Sequence, residues 1–387
     1  MKSIVNLFYC VTFLLIIVIS GCGGGSKKDR NDVPPTSTHG HWQTVGSEGF
    51  TDGRADSISL ALDSAGIPYI AYQAENYKVT VKKFDGEKWV DLGEVGKTNL
   101  EPMTCNYQNV ISLAFDNQDN LYVAFSDSTK GNKATLKMFN GSSWDTKGNP
   151  ASVDAAGNIS LGFDNDDIAH VAYEDQDPLI GSKLTVKKRN GEVVWDTPGG
   201  AGFSDGFVGY ISLEFEKNTN TPYVAYTDFD DVSDNNYAGT PKVKKYNVGS
   251  WNDVGLSILD LSEDVTDNIG TSLAFSSDGT PYLAYCDWDD CKARVKKWDG
   301  SKWVNVGGVL PGNWTSLAFD KNNNPHLLHG TAYVSKFNGS SWETLGNGRI
   351  STDNISYSYL AFDCNNIPYV AYQNNSNYKI TVKKYVP

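Results

Sequence analysis

Ile58-Ser59-Leu60-Ala61-Leu62-Asp63 alternates large apolar with small residues and closes on an aspartate, the pattern of a buried β-strand running into a turn. The same six-residue phrase returns as Ile111-Ser112-Leu113-Ala114-Phe115-Asp116 and again from Ile159, Ile211, Thr271, Thr315 and Ser358, giving seven copies. A second strand follows each one: Pro68-Tyr69-Ile70-Ala71-Tyr72 is echoed at Tyr122, His170, Pro222, Pro281, Pro325 and Pro368. A third begins as Val81-Lys82-Lys83-Phe84, with relatives from Leu136, Val186, Val243, Val295, Val334 and Val382. The fourth is led by Trp89, Trp144, Trp195, Trp251, Trp303 and Trp342. Between third and fourth strands, pairs such as Asp85-Gly86, Asn140-Gly141 and Asn338-Gly339 supply residues that tolerate positive φ in a tight hairpin.

The chain ends just after its seventh third strand, while Trp42-Gln43-Thr44-Val45-Gly46 stands alone before the first repeat. An open solenoid would need caps, whereas a ring needs its first and last units tied together. The expected fold is therefore all-β: a seven-bladed β-propeller of four-stranded antiparallel blades over residues 39–387, the last blade completed by the N-terminal strand. Starting the chain at Ser57 would remove that closing strand. The repeated Trp reads as core, and the Lys-Lys pairs read as stems packed over aromatics with solvated heads.

Loop lengths distinguish the two faces of the expected disc. The turn between first and second strands has four residues in six repeats and five in the repeat ending at Pro222. By contrast, the second-to-third connection runs from four residues, between His329 and Val334, to sixteen, between Tyr226 and Val243. Variable insertions on one face of a repeat array mark the face that meets partners. The other face is expected to be flat, and the short connection at His329 to lower the variable rim at the sixth blade.

That variable face is acidic and aromatic. Asp127, Asp175, Asp228 and Asp287 follow the second strand in four successive blades, and Tyr210, Trp314 and Tyr357 stand at the entry to the innermost strand. With Trp288, the expected ligand-binding set is Tyr210, Trp288, Trp314, Tyr357, Asp228 and Asp287: aromatic planes for the apolar faces of sugars, carboxylates for hydroxyls. Clustered carboxylates leave Ca²⁺ as a further option, although no calcium loop of regular spacing is present. Recurrence equally suits a structural role in which each Asp caps a turn, as Asp63, Asp116, Asp164, Asp320 and Asp363 are expected to do on the opposite face. His326 and His329 stand where other repeats have aromatics and read as core substitutions.

Composition removes several classes. The chain has 387 residues and a formal net charge of -13, which disfavours nucleic acid and other polyanions. Its apolar run over residues 4–19 follows Lys2 and precedes small residues, as in an export signal. Ile19-Ser20-Gly21-Cys22 resembles the bacterial lipobox. That resemblance implies a signal peptide over residues 1–21, acylation of Cys22 and an envelope protein held to the membrane only by its lipid, with Gly23 favouring the outer membrane. Residues 22–38 are a polar, Gly- and Pro-containing tether. In an oxidising compartment Cys286 and Cys291, separated by Asp287-Trp288-Asp289-Asp290, are expected to form a disulfide.

The blade pattern resembles the broad superfamily of bacterial seven-bladed propellers that includes lectin-like and sialidase-like proteins. The resemblance implies a fold and not a site. Sialidase chemistry needs three arginines on a carboxylate, and the chain has only five arginines, with Arg30 in the tether and Arg189 at the wrong turn. The expected function is a monomeric, non-catalytic lipoprotein binding a glycan or protein ligand, ahead of an adhesion or assembly scaffold and of a glycan-active hydrolase or lyase.

Overall fold

The computed structural model describes residues 40–99, 110–229, 239–255, 258, 268–287, 292–312, 314–330 and 332–387. Within them, seven antiparallel sheets each use their strands in chain order, and adjacent sheets pack through their innermost strands in a ring. The first blade comprises Ala55–Leu62, Pro68–Ala74, Lys78–Phe84 and Trp89–Lys97. The seventh comprises Ile355–Phe362, Pro368–Asn374 and Ile380–Val386, and its fourth strand is His41–Thr44, paired through Trp42↔Tyr385 and Thr44↔Lys383. The ring is a seven-bladed β-propeller closed by the N-terminal strand, as the offset in the repeats requires.

Three sets of side-chain clamps tie neighbouring blades together, one at all seven boundaries, one at six and one at five, and each recurs because one kind of residue recurs in the sequence. The small face of the innermost strand carries serine. The hydroxyls of Ser59, Ser112, Ser160, Ser212, Ser272 and Ser316 accept the backbone N–H of Leu113, Leu161, Leu213, Leu273, Leu317 and Leu360 at 2.9–3.2 Å. These bonds satisfy the inner edge of a sheet that would otherwise offer unpaired donors. At the outer edge, the indole N–H of all seven repeated Trp residues donates to a carbonyl of the preceding blade at 2.7–3.2 Å.

The third set lies in the turns after the innermost strand. Asp63, Asp116, Asp164, Asp320 and Asp363 each accept backbone N–H groups two and four residues on, so the expected capping role is what the structure shows. The turns end in Asp119, Asp167, Asn220, Asn323 and Asn366, all at φ 55–67°. Their side chains accept the N–H of Ser64, Asn117, Asn165, Ser277 and Lys321 in the preceding blade. Short polar residues suit this position because they tolerate the left-handed region while reaching across the boundary.

One expectation needs correction. The lysine pairs do not hold solvated heads throughout. Lys296 is fully buried and its ammonium donates to Ile258 O at 2.7 Å, and Lys187 donates to Thr197 Oγ1 at 2.6 Å. A long stem that leans between blades brings the Lys296 head against the neighbour's backbone, where a carbonyl replaces water, while Lys187 meets a hydroxyl beside its own outer strand. The short connection of the sixth blade packs closely against the connection before it. The preceding connection adds a short strand, Leu310–Pro311, on the fifth blade, and His329 Nδ1 bonds Pro311 O at 2.9 Å. Backbones touch there: a Cβ on Gly312 would lie 1.8 Å from Gly330 Cα, so only glycine fits.

His326 and His329 are core residues as expected, 3% and 2% exposed. Burial lowers the His326 imidazole to about 4, which keeps it neutral against the edge of Phe362.

Candidate functional site

On the variable face the chain enters five of the seven innermost strands through a bulge. Register shifts occur in five blades, and the bulged residues Ser57, Asn158, Tyr210, Gly270 and Tyr357 all have positive φ. The bulges place Tyr210 and Tyr357 at the mouth of the central channel, both half-buried, and Trp314, also half-buried, stands just before the sixth innermost strand. Tyr210 is tied to both neighbouring blades. Its N–H donates to Asn158 Oδ1 at 3.3 Å and its carbonyl accepts from Thr271 Oγ1 at 2.5 Å.

The aspartates after the second strand behave as structural groups wherever their side chains are described. Asp127, Asp175 and Asp228 are 3%, 5% and 1% exposed. Asp127 accepts Thr129 N, Asp175 accepts Thr185 Oγ1, and Asp228 accepts Gly206 N while facing Lys242 at 3.2 Å. Asp287 closes its strand opposite Asn268 and Lys292. Trp288 and Cys291 lie outside the described residues, as do Cys22 and Cys105. Among the described residues there is no disulfide, no group of three or more His, Cys, Asp or Glu placed to hold a metal ion, and no helix long and apolar enough to cross a membrane.

The same face holds a cleft that sequence reasoning did not place. It measures about 360 Å³ and is built from three segments that meet only because the ring closes: Glu48 and Gly49 after the N-terminal strand, residues 349–353 before the last blade, and Tyr372, Asn374, Asn377, Thr381 and Lys383 within it. Lys383 pairs with Glu48 at 3.0 Å, and Asp353 accepts Asn374 Nδ2 at 2.9 Å and Ser376 Oγ at 3.1 Å. Those two bonds hold the Asp353 carboxyl below its ordinary range, while burial pushes the Tyr372 phenol up to about 12. The Arg349 guanidinium donates to Asp353 O at 3.0 Å. Between this cleft and the channel mouth, Arg54 lies over the Tyr378 ring at 4.5 Å and pairs with Asp56 at 2.7 Å.

No family model and no curated protein matches the chain. Solved structures do. A polysaccharide lyase, an ulvan lyase, superposes with a TM-score of 0.59 at 12% identity, covering 88% of this chain and 94% of that one. The same type of lyase bound to -[GlcA(1-4)Rha3S]- gives 0.56 at 11% over the same shares. YCF48 bound to D1 peptide gives 0.52 at 13%, covering 89% of this chain and 95% of that one. At these identities the likeness is one of fold.

Two further features escaped the sequence reading. Glu214 occupies an innermost-strand position held by Ala61, Ala114, Gly162, Ala274, Ala318 and Ala361 in the other blades. A Cβ on Gly162 would lie 3.0 Å from Phe215 Cε2 and 3.6 Å from Leu213 O, so side chains here point along the next blade's innermost strand. The carboxyl keeps contact with water yet is crowded by protein. Desolvation raises it to about 7, with Lys217 the one charge pulling the other way. The signal was present as Glu in a run that otherwise reads Ala or Gly.

The second feature is a cleft of about 410 Å³ on the face expected to be flat. It opens between the fourth and fifth blades, where the turn after the innermost strand has its fifth residue.

Proposed function

We propose that this chain is a lipid-anchored, non-catalytic glycan-binding protein of the bacterial cell envelope, holding its ligand on the variable face of the seventh blade, at the seam where the N-terminal strand closes the ring. The observation that carries the reading is the cleft around Arg349, Asp353, Lys383 and Glu48. Cationic heads and carboxylates alternate around its wall, so neighbouring sugar hydroxyls can accept from one and donate to the other. Tyr357, Arg54 and Tyr378 extend this surface toward the channel mouth, offering flat groups to the apolar faces of a longer chain.

Asp353 is held in its charged form and Tyr372 in its neutral form, so neither is poised to exchange a proton near neutrality. The likeness to a polysaccharide lyase supports a propeller as a saccharide platform. The anchor reading rests on residues 19–22.

A glycan array probed with the full chain tests the reading. Arg349→Ala combined with Lys383→Ala is expected to weaken the positive signals roughly tenfold or more with unchanged melting. Signals that survive in this variant would place the ligand elsewhere. Cys22→Ser is expected to move the protein from the membrane to the soluble fraction.

A further inference from the structure

The fourth-to-fifth boundary is where this ring departs most from its own repeat on the face of short turns. At five boundaries an Asp or Asn at positive φ reaches back across the gap, but here that position is Gly279, at φ 84°. Glu216 replaces the capping aspartate and curls into its own turn, accepting Asn218 N at 2.9 Å and Thr219 N at 2.8 Å. A Cβ on Gly279 would lie 2.4 Å from Glu216 Oε1, so glycine alone allows that approach. The longer turn and the missing bridge leave the cleft open.

Its wall is made of Tyr223 and Tyr246, the exposed amides of Asn218 and Asn247, and the charged heads of Lys245 and Asp278. Lys245 stands over the Tyr223 ring at 6.0 Å, and Tyr223 is braced edge-on by Phe275 at 5.0 Å. Asp278 is fixed by Ser276 Oγ and Thr280 N, which hold its carboxyl in the charged form. Tyr223, Lys245 and Tyr246 stand at positions that recur around the ring, as Tyr69 and Lys83 show in the first blade, but only here do the longer turn carrying Asn218 and the Asp278-Gly279 turn leave them open to one cleft. A cleft of this size, with aromatic rings, amides and one fixed carboxylate, matches the mixed apolar and hydroxylated surface of a neutral pyranose disaccharide.

We infer that the cleft between the fourth and fifth blades is a second saccharide site, for neutral hexopyranosyl units, on the face opposite the seam cleft. It rests on the proposed glycan reading and extends it. One copy then holds two glycan segments on opposite faces and bridges strands, which gives avidity without any new contact.

Calorimetric titration of the full chain, kept in a detergent without a sugar headgroup, tests this with cellobiose, maltose and chitobiose as probes. Two sites are expected for the wild type with at least one probe. Asn218→Trp starts from an exposed position and fills the cleft. It is expected to remove one site, or weaken it at least tenfold, with unchanged melting, while Arg349→Ala leaves that site intact. One site only, abolished by Arg349→Ala and untouched by Asn218→Trp, would overturn the second site and leave the seam reading standing. One site abolished by Asn218→Trp and untouched by Arg349→Ala would support this cleft and remove the seam. No heat with any probe, or two sites in both variants, would overturn the inference.

Discussion

The boundary between the second and third blades and the boundary between the fourth and fifth are built from the same parts, with one omitted. Both keep the inner clamp, Ser112 to Leu161 N at 3.0 Å and Ser212 to Leu273 N at 3.2 Å. Both keep the outer clamp, Trp195 to Asn149 O at 2.9 Å and Trp303 to Val254 O at 2.7 Å. Both also pack an aromatic pair below, Tyr122 with Phe163 and Tyr223 with Phe275. Only the turn clamp differs: Asn117 donates to Asp167 in one, and Gly279 leaves a cleft in the other. Between these two boundaries the variation falls at the solvent end and not where it would strand a buried donor, since an unsatisfied buried N–H costs about 1–3 kcal/mol.

The seventh-to-first boundary breaks the pattern more deeply. Tyr359 stands where six other repeats have serine, and Gly66 stands where the bridging Asp or Asn would be. The substitutes are Gln373, whose amide donates to Ala55 O at 2.6 Å and Asp56 Oδ1 at 2.9 Å, and the N-terminal strand itself. This boundary is therefore expected to be the most sensitive to loss of its replacement parts. A chain starting at Ser57 loses the Val45 carbonyl that accepts the Trp89 indole, the Trp42 clamp to the sixth blade and a whole ladder beside Tyr385, and is expected to lose at least about 3 kcal/mol or fail to fold. An unchanged melting temperature would show that closure contributes nothing.

The next largest effect should come from a regular clamp. Ser112→Ala removes the acceptor for Leu161 N and is expected to cost about 1–2 kcal/mol in denaturant unfolding, with Ser212→Ala costing a similar amount. A much smaller cost for Ser212 would mean that the fourth-to-fifth boundary is loose throughout and not merely open at one turn. Val248 offers a comparable gain. It is 95% exposed at φ 44°, a strained position for a β-branched residue in a two-residue hairpin where glycine or asparagine belongs. Val248→Gly is expected to stabilise by about 1 kcal/mol without altering saccharide binding at the neighbouring cleft.

The smallest expected effect depends on pH. Because the folded-state carboxyl of Glu214 is raised to about 7 from 4.5, folding disfavours its charged form. The penalty is absent below about 4.5, grows as pH rises and is complete above 7. Glu214→Ala, which restores the residue common in the other blades, is expected to raise the melting temperature at pH 8 and leave it unchanged at pH 4. Water in contact with the carboxyl screens the effect and keeps it modest. An equal shift at both pH values would mean that charge is not the cause.

The fold was legible because each blade announces itself locally. Ile58-Ser59-Leu60-Ala61-Leu62-Asp63 and its six relatives carry the strand period, the turn residue and the clamp serine together, and the stranded Trp42 segment reveals a closed ring. Recurring residues do recurring structural work, and so the capping aspartates, the Trp clamps and the buried Asp127, Asp175 and Asp228 could be anticipated at least as an alternative. Tyr210, Trp314 and Tyr357 could likewise be placed at the entry to their innermost strands, because the repeat fixes where each of those strands begins.

The clefts could not be read in this way. The seam cleft joins Glu48 to Arg349 and Lys383 across some three hundred residues of chain, and only ring closure brings them together. The other cleft exists because Gly279 and the long turn at Glu216 fall on opposite sides of one boundary, each unremarkable alone. Sequence determines what a repeat must keep, since strand period and turn chemistry act over a few residues. Tertiary structure decides where two departures face one another, because a binding site is a property of the space between blades.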